Sequence, residues 1–152
     1  MHGTYETIDG RPAVRFERRL AHPVDAVWRA VTEPAELAHW YPGEPPAPGD
    51  ITEEDPPRLR AWRWGEEGDQ LRLELAETGD GCVLTLTHTL ATREQAARDA
   101  AGWHVCLDRL EAALSGGHAQ APGEQPTDEW RAHFEEYERR GLPTGAPIPE
   151  SA

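Results

Sequence analysis

The feature that most constrains this chain is the run from Glu94 to Leu114, which reads as one long helix with a continuous apolar stripe. Thr92, with Gln95 three residues on, forms a capping box in which each side chain satisfies a backbone N–H of the other. Gly116-Gly117 ends the run, because glycine takes the left-handed conformation that closes a helix. Between these signals Ala96, Ala100, Trp103, Leu107, Leu110 and Leu114 recur at alternating four- and three-residue steps, which places them on one face. Such a stripe needs an apolar surface of matching length. The small alanines at its start let the helix approach that surface closely or leave space beneath it.

Alternating segments supply the surface. Residues 13–20 set Val14, Phe16 and Arg18 on one side and Arg15, Glu17 and Arg19 on the other, the period of a half-solvated strand. Leu71, Leu73 and Leu75 oppose Arg72 and Glu74 in the segment 71–77, and Cys82, Leu84, Leu86, His88 and Leu90 share a face in 82–90. Thr78-Gly79-Asp80-Gly81 joins these two segments and is a hairpin signal. Residues 58–64 read as a further strand, and Ile51–Asp55 as a short one at an edge. Between the first strand and the rest, His22-Pro23 opens a helix with Val24, Val27, Trp28 and Val31 at buried spacing. A second short helix starts at Pro34 and turns Leu37, Trp40 and Tyr41 inward. The fold class is therefore α+β, an antiparallel sheet wrapped around a long C-terminal helix.

Three stretches follow along the chain: an N-terminal segment 1–12, a folded domain 13–117, and a C-terminal part 118–152. The last comprises a Gly/Ala/Pro/Gln linker, an extra helix at about 127–140 and a loose tail. Thr127 caps that helix, Gly141 stops it, and Trp130, Phe134 and Tyr137 form one aromatic stripe for docking on the body.

At 152 residues the chain has room for one core without disulfide or metal support. Cys82 and Cys106 lie far apart in apolar segments and read as buried free thiols of a reducing compartment. A net charge of −13 argues against nucleic acid and against anionic membrane surfaces. Mean hydropathy is −0.72, and no stretch is long and apolar enough to span a bilayer. The N-terminus carries no apolar run, so a cytoplasmic protein is expected.

The residues FERRLAHPVDAVWRAVTEPAELAHWYPG, DPPRLRAWRWGE, GDGCVLTLTHTL and AAGWHVCLDRLEAALSGG together resemble the START-like (SRPBCC) superfamily over most of 13–117. The branch they resemble is the bacterial one related to the C-terminal domain of the activator of heat-shock protein 90 ATPase. The resemblance implies a helix-grip fold with a ligand cavity between the concave sheet and the long helix. Relatives carry a further pair of strands where this chain has only Pro42–Asp50, so the sheet is expected to be short of one hairpin. An edge left open in this way could take a protein partner or a second copy of the chain.

The implied function is non-enzymatic binding of a small hydrophobic molecule. The candidate ligand-binding residues are Trp40, Tyr41, Trp64, Leu73, Leu75, Leu84, Leu86, His88, Trp103, His104 and Leu107. Each apolar member could equally be plain core, although six tryptophans suit a flat apolar ligand. His88, on the core side of its strand, is either a hydrogen-bond donor to the ligand or a core histidine satisfied by its neighbours. His104, with Asp108 one turn on, is either an oriented imidazole or a surface pair. No catalytic residue, cofactor or metal site is assigned, because the histidines and cysteines show no zinc spacing and no phosphate loop or GxSxG is present. Two alternatives stand beside ligand binding: a chaperone-associated interaction module, from the activator branch, and an aromatase/cyclase-like enzyme.

Overall fold

The alternating segments pair into one antiparallel sheet, and the long helix lies across its apolar face. The computed structural model describes residues 2–64, 68–117 and 126–148. The strands are β1 (Thr4–Ile8), β2 (Arg11–Leu20), β3 (Ile51–Asp55), β4 (Leu59–Trp64), β5 (Asp69–Thr78) and β6 (Gly81–Thr89). The helices are α1 (Val24–Thr32), α2 (Pro34–Leu37), α3 (Ala96–Leu114) and α4 (Asp128–Arg139), with 3-10 turns at Pro48–Asp50 and Arg93–Gln95. Strand order is β1-β2-β6-β5-β4-β3.

Register follows from the hairpin signal. Thr78 pairs with Gly81, which sets Leu73 opposite Leu86 and Leu71 opposite His88. On the other flank of β6, Phe16 faces Leu86 and Val14 faces His88. A rung of Val14, His88, Leu71 and Trp62 therefore crosses four strands with every member buried. The opposite side of the sheet is wet and carries the ion pairs Arg15–Glu17 and Arg72–Glu74. One face is core and one is solvent, as alternation requires.

The helix α3 begins at the capping box: both the Thr92 and Gln95 side chains accept from backbone N–H groups. It is buried on two sides. Trp103, Leu107 and Leu110 are core residues, while Trp130 of α4 sits over Gly102. Arg18, almost wholly buried, fixes α3 over β2 through Asp108 at 2.9 Å and Glu111 at 2.8 Å.

Two expectations are corrected. The N-terminal segment 1–12, set apart from the folded domain 13–117, belongs to its sheet, because Thr4–Ile8 is the edge strand paired with β2. Asp9 and Gly10, with φ of 53° and 78°, make the two-residue loop in which both central residues need positive φ. Nor is the stretch after Gly141 loose. The Ala97 N–H donates to Pro143 O at 3.0 Å and the Ala146 N–H donates to Glu94 O, so this stretch satisfies a donor in the first turn of α3. Most of the linker expected before the helix at about 127, residues 118–125, and the last four residues lie outside the described residues.

Between Tyr41 and Ile51 the chain forms only the turn at Pro48–Asp50. Among the described residues no strand pairs with the outer side of β3. Its exposed Glu53, Glu54 and Asp55 put charge on that edge, a common guard against edge-to-edge pairing.

Candidate functional site

Under α3 the sheet and the two short helices bring aromatic rings together. The end of α2 delivers Trp40 and Tyr41, whose rings meet edge-on at 5.6 Å. Trp40 Nε1–H donates to Ala30 O, and Trp62 Nε1–H donates to Tyr41 Oη at 3.1 Å, so neither buried indole loses its partner. Burial pushes the Tyr41 phenol up to about 12. From β4, Trp64 reaches His88 at 5.1 Å and Trp103 at 5.3 Å between ring centres. Trp64 is the half-buried member of this group, at the end of its strand.

His88 is the polar centre. Trp103 Nε1–H can only donate, so His88 Nδ1, 2.9 Å away, accepts. The ring hydrogen then sits on Nε2 and is donated to Asp69 Oδ2 at 2.6 Å, a tautomer assigned from the network. Asp69 also accepts from Gln95 Nε2 at 3.0 Å and from the Ala91 N–H at 3.0 Å. Burial by itself would raise the Asp69 carboxyl. The bond from His88, with those from Gln95 and Ala91, outweighs it and holds the group below the ordinary range. Both nitrogens of His88 are engaged, which describes a satisfied core histidine with no lone pair left for proton transfer.

Of the sequence candidates, Trp40, Tyr41, Trp103 and His88 meet here with Trp64 at the rim, and Leu73, Leu75, Leu84, Leu86 and Leu107 belong to the same core. Leu73, Leu86, His88 and Trp103 are 1%, 1%, 0% and 2% exposed, so their own neighbours fill the space around them. Cavities of about 320 and 310 Å³ lie elsewhere, one where the β5–β6 turn meets the start of α1, the other on the solvated face of the sheet. Burial raises the thiols of Cys82 and Cys106 above the ordinary range.

His104 is not part of that group. It lies on the α4 side of α3, where its ring stacks on His133 at 3.8 Å and its Nδ1 is 2.8 Å from Tyr137 Oη. Its Nε2 is 3.8 Å from Asp108 Oδ2. Burial, with the charge of His133 next in weight, lowers its pKa to about 4. The expected surface pair is thus a buried imidazole among four other rings, since His2 and Phe16 face it along with His133 and Tyr137.

With this geometry in place the relatives become informative. The family model for activator of Hsp90 ATPase homolog 1-like proteins matches residues 43–115. CalU16 from Micromonospora echinospora is 25% identical; its crystal structure aligns over 91% of this chain and 92% of its own, with a TM-score of 0.70. Its solution structure aligns over 91% and 90%, with a TM-score of 0.72. The chain has the helix-grip fold of these START-like structures. An AHSA1-like protein of Rhizobium etli is similar at 28% identity, over 70% of this chain and 84% of its own, with a TM-score of 0.58. No curated protein matches the sequence. The expected α+β helix-grip architecture is present, and no described helix is long and apolar enough to cross a membrane.

Sequence reasoning missed Asp69, Gln95, Trp62, His133, Tyr137 and His2 as site residues. For Asp69 a signal existed. It extends the Leu71–Leu73 face by one period, and the register set at Thr78↔Gly81 places it diagonal to His88. For His133 and His2 there was none, because nothing local says that α4 and the N-terminus converge on His104.

Proposed function

We propose that this START-like protein is a non-enzymatic binder of a small, flat, apolar molecule, held among the aromatic rings under α3 and admitted at Trp64. The observation that carries this reading is Trp64 itself, a half-buried indole resting on His88 and Trp103 at the rim of the core. A ligand would take the place of the Trp64 ring and stack on Trp103, exchanging one aromatic contact for another at small cost. The engaged nitrogens of His88 favour holding over proton transfer, which sets an enzyme reading behind this one.

Titration with the neutral fluorescent probe N-phenyl-1-naphthylamine tests this. Saturable binding of one equivalent is expected, changed about tenfold in affinity by Trp64→Ala, the scale of one aromatic contact. Binding that does not saturate, or that ignores the substitution, overturns the proposal.

A further inference from the structure

On the other face of α3, and independent of the ligand reading, we propose that His104, Asp108 and His133 form a site for a divalent transition-metal ion of the zinc class, clasping α3 to α4. One ligating atom from each of the three lies within 4.8 Å of the others. His104 and Asp108 are four residues apart on α3 and so project side by side, while α4 brings His133 over them. Asp108 Oδ2 is 3.8 Å from His104 Nε2 and 4.0 Å from His133 Nε2. Those distances are too long for hydrogen bonds. They are close to the roughly 3.4 Å that separates two ligands bonded at about 2.0–2.2 Å to one tetrahedral ion. Binding also requires the half-exposed His133 to turn out of its stack on His104, where the planes now meet at 25°, so that both in-plane Nε2 lone pairs face the ion.

The remaining atoms of Asp108 and His104 are already held. Arg18 Nη1 donates to Asp108 Oδ1 at 2.9 Å, leaving Oδ2 directed at the two imidazoles. Tyr137 Oη lies 2.8 Å from His104 Nδ1 and accepts from the Gly3 N–H at 2.8 Å. A ring hydrogen on Nδ1, donated to Tyr137, frees the Nε2 lone pair, which is how outer partners orient a metal-binding histidine. Charge does not oppose the ion. Arg18 is matched by two carboxylates, Asp108 and Glu111, so with neutral imidazoles the group is anionic. Asp108 and His133 are half-exposed and give an ion access from solvent.

Two imidazoles and one carboxylate leave a fourth position. Water can take it, and so can the His2 imidazole, whose ring lies 5.1 Å from that of His104. His2 is brought there because the chain crosses the face of Phe16 at Gly3, where even a Cβ would come within 2.5 Å of the ring. The other buried cluster, Asp69, His88 and Asp99, differs in kind. There the nitrogens of His88 are consumed by Trp103 and Asp69, so no lone pair remains to offer.

The test uses the full chain without a polyhistidine tag, titrated near neutral pH with Zn²⁺ against a chromophoric chelator and with Co²⁺ followed by visible absorption. One equivalent should bind at micromolar concentration or tighter, with the intense visible bands of four-coordinate cobalt. His133→Ala and Asp108→Asn should each weaken binding at least tenfold, and Tyr137→Phe, a positioning residue, about tenfold. His39→Ala, at an exposed histidine, should change nothing. Zn²⁺ should raise the melting temperature of the parent protein and not that of His133→Ala, which far-UV circular dichroism would show to be folded. Absence of saturable binding, or binding that survives both His133→Ala and Asp108→Asn, overturns the proposal.

Discussion

Trp103 and His104 are adjacent in sequence and meet opposite chemical fates on the two faces of α3. Trp103 points into a network in which each hydrogen has one acceptor: indole to His88, His88 to Asp69, Gln95 to Asp69. His104 points into a gathering of rings where Tyr137 takes one nitrogen and the other stands 3.8 Å from the nearest carboxylate oxygen. The hydrogen-bond network of the first side is saturated; that of the second is assembled but unfinished. A buried polar network stabilises and specifies when every member is paired, whereas spare donors and lone pairs held in place are the usual mark of a site that takes something up. On this comparison the core histidine explains the fold, and the helix-interface histidine is the better place to look for chemistry.

The comparison can be broken by substitution. Trp103→Ala removes a large core side chain together with the donor to His88, and should cost about 3–5 kcal/mol in urea denaturation. A loss below about 1 kcal/mol would show that the network is ornamental. Asp69→Asn keeps the shape and removes the charge. About 2–3 kcal/mol should be lost at neutral pH, since a charge-assisted bond and a well-placed acceptor both go.

Asp69 also fixes a pH dependence. Its folded pKa lies below the 3.8 of the free group, so its contribution is complete above 3.8 and is lost as pH falls through the lower, folded value. The parent protein should therefore lose stability into the acid range more steeply than Asp69→Asn. Parallel acid-stability curves for the two would contradict this.

On the unfinished side the effects are smaller. Tyr137→Phe deletes the hydroxyl shared by Gly3 and His104, and about 1–2 kcal/mol should be lost on thermal melting, with faster amide exchange at Gly3. Thr92→Ala strikes the helix that the two sides share. About 1 kcal/mol should go with its cap, and the zinc affinity of the His104 group should be unchanged. If affinity fell as well, the two faces would not be independent.

How much of this was written in the sequence depends on how far apart the interacting residues lie. The helix stripe, the capping box, the hairpin at 78–81 and the alternation of β2, β5 and β6 are local signals, and each appears as expected. Asp9-Gly10 is an equally local signal, a hairpin dipeptide with little apolar alternation on its flanks to mark it. The interior was legible as a set of buried residues but not as a network. Pairing Asp69 with His88 needs the register of β5 on β6, and joining Trp103 to both needs the helix laid over the sheet. Of the His104 group only the His104–Asp108 pair on α3 was legible, because His2, His133 and Tyr137 come from the N-terminus and α4. Their meeting depends on how α4 folds back, which no periodicity encodes.

The bond from the Gly3 N–H to Tyr137 Oη spans 134 residues, from the edge of the sheet to the last helix. Entropy makes closing so long a loop costly early in folding, so this contact belongs to the late stages, when the rest of the core already holds its ends together. The first strand and the last helix are thereby coupled as one opening unit. Fraying at either should release both, and native-state hydrogen exchange should show the amides of β1 and α4 losing protection together while those of β5 and β6 keep theirs.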